Sequence, residues 1–130
     1  MTIGLNDLNI YKLARELEAR VYKLAKEFPP EEKYGKTSQL KRSASSVADN
    51  IAESYGRFGY QEKIHFLQIA RGSAEEANSQ LERAGLICEE KQEIDALISD
   101  YTSELKQING FIKYLRNKKV TDKPTNQLTD

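Results

Sequence analysis

The chain has no tryptophan, one cysteine (Cys88), one histidine (His65) and three prolines in 130 residues. A lone cysteine cannot close an internal disulfide and suits a reducing compartment. A lone histidine excludes a multi-histidine metal site and any His-x-x-x-His pair. Neither sign of charge is in excess: Lys plus Arg and Asp plus Glu both number 20, so no global field points to a nucleic acid or a membrane. No apolar run approaches the roughly 18 residues that cross a bilayer. The N-terminal stretch MTIGLNDLNIYKLARELEAR mixes acids with bases and lacks the apolar core of a signal peptide. These absences lead us to expect a soluble, cytoplasmic, single-domain protein, long enough to bury roughly two-thirds of its unfolded surface.

What is present is helical periodicity. Ile10, Ala14, Leu17, Val21, Leu24 and Phe28 step by four and three. Leu40, Ala44, Val47 and Ile51 repeat the pattern, as do Leu67, Ala70, Ala74, Ala77, Leu81, Ala84 and Cys88, with Tyr60 and Ile64 extending it backwards. A fourth stripe runs Ile94, Ile98, Tyr101, Leu105, Ile108, Ile112 and Leu115. A spacing averaging about 3.5 marks helices packed nearly parallel along a seam. Strand-like alternation occurs nowhere.

The breakers agree with four segments. Phe28-Pro29-Pro30 ends the first helix, because proline disfavours helical geometry in the residue before it. Gly35 closes that connection, and Thr37 or Ser38 can cap the next helix. Gly56 and Gly59 bracket a short turn that folds the third helix back on the second. The join at Cys88 to Lys91 holds neither Gly nor Pro, and VTDKPTNQLTD after Lys119 loses the periodicity, as a disordered tail would. The expectation is an all-α, antiparallel up-down-up-down four-helix bundle over residues 1–119, with helices at 6–28, 37–56, 60–88 and 91–118 and a polar tail at 120–130.

The second helix is unusual in its small side chains. Ser43, Ser45, Ser46, Ala48, Ala52 and Ser54 allow close approach on more than one face, while Asn50, Glu53 and Arg57 form a polar row. Such a row suggests a defined contact with another helix or another subunit. Leu13, Tyr22, Ala25, Phe66, Ile69, Leu97 and Phe111 lie off the seams. They either widen the core-facing stripe or, with the small-residue face, build a subunit interface.

The run FPPEEKYGKTSQLKRSASSVADNIAESYGR, followed by QEKIHFLQIARGSAEEANSQLERA, resembles the bacterial four-helix-bundle proteins encoded by intervening sequences in 23S ribosomal RNA genes. Phe28-Pro29, Glu32 and Tyr34-Gly35 ahead of Thr37-Ser38-Gln39-Leu40 carry the likeness. It continues through Arg42, Asn50-Ile51-Ala52-Glu53, Gly56-Arg57, Glu62, Phe66-Leu67, Ile69-Ala70, Gly72-Ser73 and Glu76, and spans residues 8 to 118. The resemblance implies a bundle assembled as a ring-shaped homopentamer. It also implies kinship with accessory proteins of diversity-generating retroelements, which look like scaffolds for a reverse transcriptase and its RNA. The chain departs from the pattern at Ser54, where many relatives have glycine, near Ala48, where proline is frequent, and at Asp49, which adds a charge.

The zero net charge hides a polarity in the fourth helix. Six acids (Glu89, Glu90, Glu93, Asp95, Asp100, Glu104) face Lys91 alone, and then five bases (Lys106, Lys113, Arg116, Lys118, Lys119) follow without an acid. Complementing the helix dipole is one explanation. Topology suggests another: an up-down bundle gathers Lys12, Arg57, Lys63, Lys113, Arg116, Lys118 and Lys119 at one end, against Asp7, Glu53 and Glu62. A ring would repeat that excess as a basic rim suited to phosphates. These seven are the candidate nucleic-acid-binding residues, although Glu53 and Arg57 can also pair with each other.

Catalytic chemistry is not expected. Cys88 continues an apolar stripe, and Glu62 makes the one Glu-x-x-His pair where a bundle metal site uses two. Gly72-Ser73 lies within a helix rather than in a phosphate loop, and Gly72 reads as a close helix crossing. Tyr34, Tyr55 and Tyr60 fall near loops, where they either pack helix ends or stack on bases. The reading is a non-enzymatic homo-oligomeric scaffold, pentameric, binding RNA or a ribonucleoprotein through the basic rim, with Asn50, Glu53, Arg57, Gly72 and Tyr34 as interface or structural positions. It has no metal, cofactor, membrane or small-molecule partner. The alternative is a protein-interaction module without nucleic-acid binding.

Overall fold

The structure, a computed structural model, describes residues 4–122. Four long helices make up the chain there: α1 (Asn9–Ala25), α2 (Lys36–Gly56), α3 (Tyr60–Ala84) and α4 (Lys91–Asp122). Short 3-10 turns at Leu5–Asp7 and Pro30–Glu32 precede α1 and α2. Among the described residues there is no strand. Cross-helix bonds fix the direction of each neighbour. Glu18 on α1 accepts from Ser45 on α2 at 2.7 Å, Ser46 on α2 meets Ser73 on α3 at 2.7 Å, and Asn78 on α3 donates to Thr102 on α4 at 3.2 Å. Arg20 on α1 reaches Glu93 and Asp100 on α4 and closes the square. A second contact in each successive pair, Tyr22 with Lys41, Ser54 with Lys63 and Arg71 with Asn109, shows the residue numbers running in opposite senses, so the bundle is up-down-up-down.

Helix ends follow local chemistry, with several differences from the sequence expectation. α1 stops at Ala25, and Phe28 tucks beneath its end, 7% exposed, before Pro29 turns the backbone to an extended conformation. Neither Thr37 nor Ser38 caps α2. The cap position is Gly35, and the Glu32 carboxylate accepts from the Lys36 N–H at 3.3 Å, so a side chain from the preceding turn takes over that task. The Gly56–Gly59 turn uses no positive φ, because Arg57 leaves α2 in an extended conformation. α3 ends at Ala84 instead of reaching Cys88. Gly85 follows it, and Leu86 and Ile87 bond back to the carbonyls of Arg83 and Ala84. α4 continues through 120–122, while residues 123–130 of the expected tail lie outside the described residues.

The first three stripes are buried as spaced, from Ile10 to Phe28, Leu40 to Ile51 and Ile64 to Cys88. Small residues on α2 and alanines on α3 bring these two helices close, close enough for the Ser46 and Ser73 hydroxyls to bond directly. Most of the small-residue signal on α2 is therefore used inside the protomer. Of the off-seam residues, Ala25 and Leu97 join the core, Leu13 and Phe111 pack against it, and Tyr22 and Ile69 stay exposed.

The fourth stripe differs. Leu97 and Glu104 point into the core, fully buried, while Ile98 and Leu105 are only partly buried at its edge. Neither carboxylate oxygen of Glu104 has a hydrogen-bond partner among the described residues, nor has the hydroxyl of Tyr101 one turn before it. Burial pushes the Glu104 carboxyl up to about 8, so it is chiefly protonated at neutral pH. Burial also raises the Tyr101 phenol, and nearby Glu104 adds to that rise.

Candidate nucleic-acid interface

The basic end of the bundle is where α2 and α4 finish and α3 begins. Its charges are set by local chemistry first. Arg57 donates to Glu53 at 2.9 Å, one turn earlier, and its guanidinium lies 4.7 Å from the centre of the Phe66 ring. The Lys63 ammonium donates to the Ser54 and Tyr55 carbonyls at 3.3 and 3.2 Å, closing the C-terminus of α2, where a cation suits the dipole. Ser54 answers by donating its hydroxyl to the Lys63 carbonyl at 3.0 Å. Lys119 donates to Gln61 across the α3–α4 seam at 2.8 Å. Lys12, Lys113 and Arg116 are exposed.

Two grooves flank the first turns of α3. One, of about 280 Å³, has Ile51, Leu67 and Leu115 at its base, with Tyr55, Tyr60, Phe111, Tyr114, Lys63 and Lys118 around it. Phe111 and Tyr114 stack there, with centroids 6.1 Å apart and planes inclined by 27°. The other groove, of about 440 Å³, lies on the opposite side of the seam between Gln61, Ile64 and Gln68 on α3 and Arg116, Lys119 and Val120 on α4. The bases at the end of α4 thus divide between two grooves. Lys12 and Lys113 line neither. In the sequence, Tyr55 and Tyr60 read as near loops and Phe111 as off the seam, and Phe111 and Tyr114 are not brought together at this end. Their one-turn spacing on α4 was the available signal.

The polar row on α2 is satisfied locally. Asn50 donates to the carbonyl and hydroxyl of Ser46 at 2.9 and 3.0 Å, and Glu53 holds Arg57. Tyr34 is exposed in the connection before α2, with the Lys33 ammonium 5.3 Å from its ring centre. Gly72 does not mark a close crossing within the protomer: it faces outward, and a Cβ there would meet nothing within 4 Å.

The opposite end is acidic. A hollow of about 750 Å³ there is lined by Glu27, Glu31, Glu32, Glu89 and Glu90 with Pro29 and residues 85–88. Among the described residues, no group of three or more His, Cys, Asp and Glu side chains is placed to hold a metal ion, and no helix is long and apolar enough to cross a membrane.

Comparison with known proteins agrees with this architecture. Among curated proteins, none matches the chain. A crystal structure of a protein of unknown function from the S23 ribosomal protein family of Bacteroides thetaiotaomicron VPI-5482 superposes with a TM-score of 0.71. The identity is 26%, covering 80% of this chain and 98% of that one. The sequence itself matches the family described as 23S rRNA-intervening sequence protein over residues 6–110, which takes in α1 to α3 and most of α4. With four antiparallel helices in this order and a match over most of its length, the chain belongs to the 23S rRNA-intervening sequence protein family.

Proposed function

We propose that this protein is a non-enzymatic, cytoplasmic scaffold that assembles as a homopentamer and binds RNA or a ribonucleoprotein through its basic end. The observation that carries the reading is the C-terminal half of α4, where Arg116, Lys118 and Lys119 flank two grooves at the end of the bundle. Phosphates bind clustered cations, and a ring of subunits multiplies weak contacts into avidity. Exposed Tyr22 and Ile69 supply apolar surface for assembly. The same exposed residues favour a second reading, a protein-interaction module in which the bases serve helix stability alone.

Light scattering with size-exclusion chromatography tests the scaffold, with and without total bacterial RNA at low and moderate salt. The expected result is a ring of about five subunits that shifts with RNA at low salt. Replacing Arg116, Lys118 and Lys119 together with alanine should weaken RNA binding. It should also reduce the slope of log K against log salt by about 2, at roughly 0.7 per single-strand phosphate. A ring indifferent to RNA selects the protein-interaction module, and a stable monomer removes the scaffold.

A further inference from the structure

Resting on that reading of the basic end, we propose that the aromatic groove between α2, α3 and α4 receives one unpaired base of a single-stranded RNA. A phosphate beside that base would meet Lys118 at the rim of the groove. The groove is built for a flat, apolar ligand. Its base is aliphatic, and three of the seven tyrosines of the chain, with Phe111, surround it. At about 280 Å³ it lies at the lower edge of the roughly 300–1,000 Å³ typical of small-ligand sites, which suits a base with its sugar better than a large cofactor.

Its walls are held in place before any ligand arrives. The Tyr55 carbonyl is held by the Lys63 ammonium, and Phe111 and Tyr114 already stack, so a base extends an existing stack. Sequence-tolerant stacking beside lysines is how single strands are bound without base-specific hydrogen bonds. Charge decides between an RNA strand and an apolar peptide. Lys63 and Lys118 border the groove and no carboxylate does, so its rim suits an anion, while Arg116 and Lys119 line the separate groove across the seam. A duplex cannot deliver a base here, because its bases are stacked and paired.

The test compares a fluorescein-labelled twelve-nucleotide adenosine RNA with a blunt RNA duplex of equal length, by anisotropy at 50 mM salt. Three variants are needed: Tyr55→Ala/Tyr114→Ala, Tyr55→Phe/Tyr114→Phe and Arg116→Ala/Lys119→Ala. Tyr55 and Tyr114 are 38% and 56% exposed, so truncating them spares the core, and thermal melts verify this. The alanine pair should lose about tenfold or more in single-strand affinity while duplex affinity holds, and the phenylalanine pair should restore it. The charge variant should weaken both RNAs. If the alanine pair binds the single strand like the parent while the charge variant still weakens both, the groove proposal is overturned and the basic end stands. If the parent protein binds neither RNA, both fall.

Discussion

The two halves of α4 treat their charges in opposite ways. In the N-terminal half, protein claims three of the acids: Arg20 holds Glu93 at 3.0 Å and Asp100 at 2.7 Å, and Glu104 is withdrawn into the core. In the C-terminal half Arg116, Lys118 and Lys119 border grooves open to solvent, with Lys119 also donating to Gln61. Glu93, Asp100 and Glu104 therefore act within the bundle, whereas the proposed partner surface draws on the bases. Within the first half there is a second contrast. Asp100 and Glu104 are one turn apart, yet one is half-exposed with a guanidinium and the other is fully buried with no hydrogen-bond partner among the described residues. Surroundings, not residue type, set the sign of each contribution.

The largest effect expected from breaking this contrast is at Glu104. Its carboxyl is raised in the folded state from 4.5 to about 8, so the native protein binds more protons than the unfolded chain between those values. The stability associated with the protonated group is complete below about 4.5 and is lost as pH rises towards 8. That is a roughly tenfold fall in the folding equilibrium constant per pH unit within the window. Urea titrations from pH 5 to 9 should show the decline, levelling above about 8, and Glu104→Gln should flatten it. Glu104→Met, close in shape and free of charge, should raise stability at pH 8 by a few kcal/mol (about 1–4). An unchanged pH profile in Glu104→Gln would show that the carboxyl is solvated in solution.

Glu104 also marks where the sequence stopped being legible. Four stripes, their order and their antiparallel turns could be read from spacing, because seams of three and four are imposed by helix geometry. The phase of α4 could not. Ile94, Ile98, Tyr101, Leu105, Ile108 and Ile94, Leu97, Tyr101, Glu104, Ile108 average the same repeat. An apolar reading prefers Leu105 to Glu104. The structure takes the other phase, which keeps Ile98 and Leu105 at the edge of the core and sends Leu97 inwards. That choice depends on how α1 and α3 pack against α4, which is tertiary information. The basic end was legible as a set of residues but not as two grooves, because sequence does not say on which side of a seam Arg116 and Lys118 fall.

Next in size is Arg20→Ala, which leaves Glu93 and Asp100 without their shared cation. These carboxylates are 37% and 43% exposed, so water and salt screen them, and the cost is about 1 kcal/mol rather than the several expected of a buried pair. Its sign is opposite to that of Glu104→Met. In urea melts the gap between Arg20→Ala and the parent should shrink at 1 M salt, where the Debye length falls to about 3 Å. A gap insensitive to salt would assign the loss to packing of the arginine stem instead.

In the basic half, Lys63 and Arg116 should separate by function. Lys63→Met removes the cation that closes α2 and should cost about 0.5–1 kcal/mol of stability. Arg116→Met should leave the melting temperature within error and lower RNA affinity. The reverse pattern would mean that Arg116 belongs to the fold and Lys63 to the partner.

The smallest effect asks whether a surface that looks open in one protomer is open in the assembly. Gly72 on α3 and Gly110 in the basic half of α4 both lie in helix interiors, and a Cβ at either would meet nothing within 4 Å. Alanine should therefore stabilise each helix by about 0.5–1 kcal/mol, through lower backbone entropy in the unfolded chain. Two equal rises in melting temperature, with unchanged mass by light scattering, would place both positions in solvent. A rise for Gly110→Ala alone, with Gly72→Ala losing mass, would put another subunit against α3. The close crossing suggested by Gly72-Ser73 would then lie between protomers, and Ile69, one turn before Gly72, would have the neighbour that its exposure lacks in the single chain.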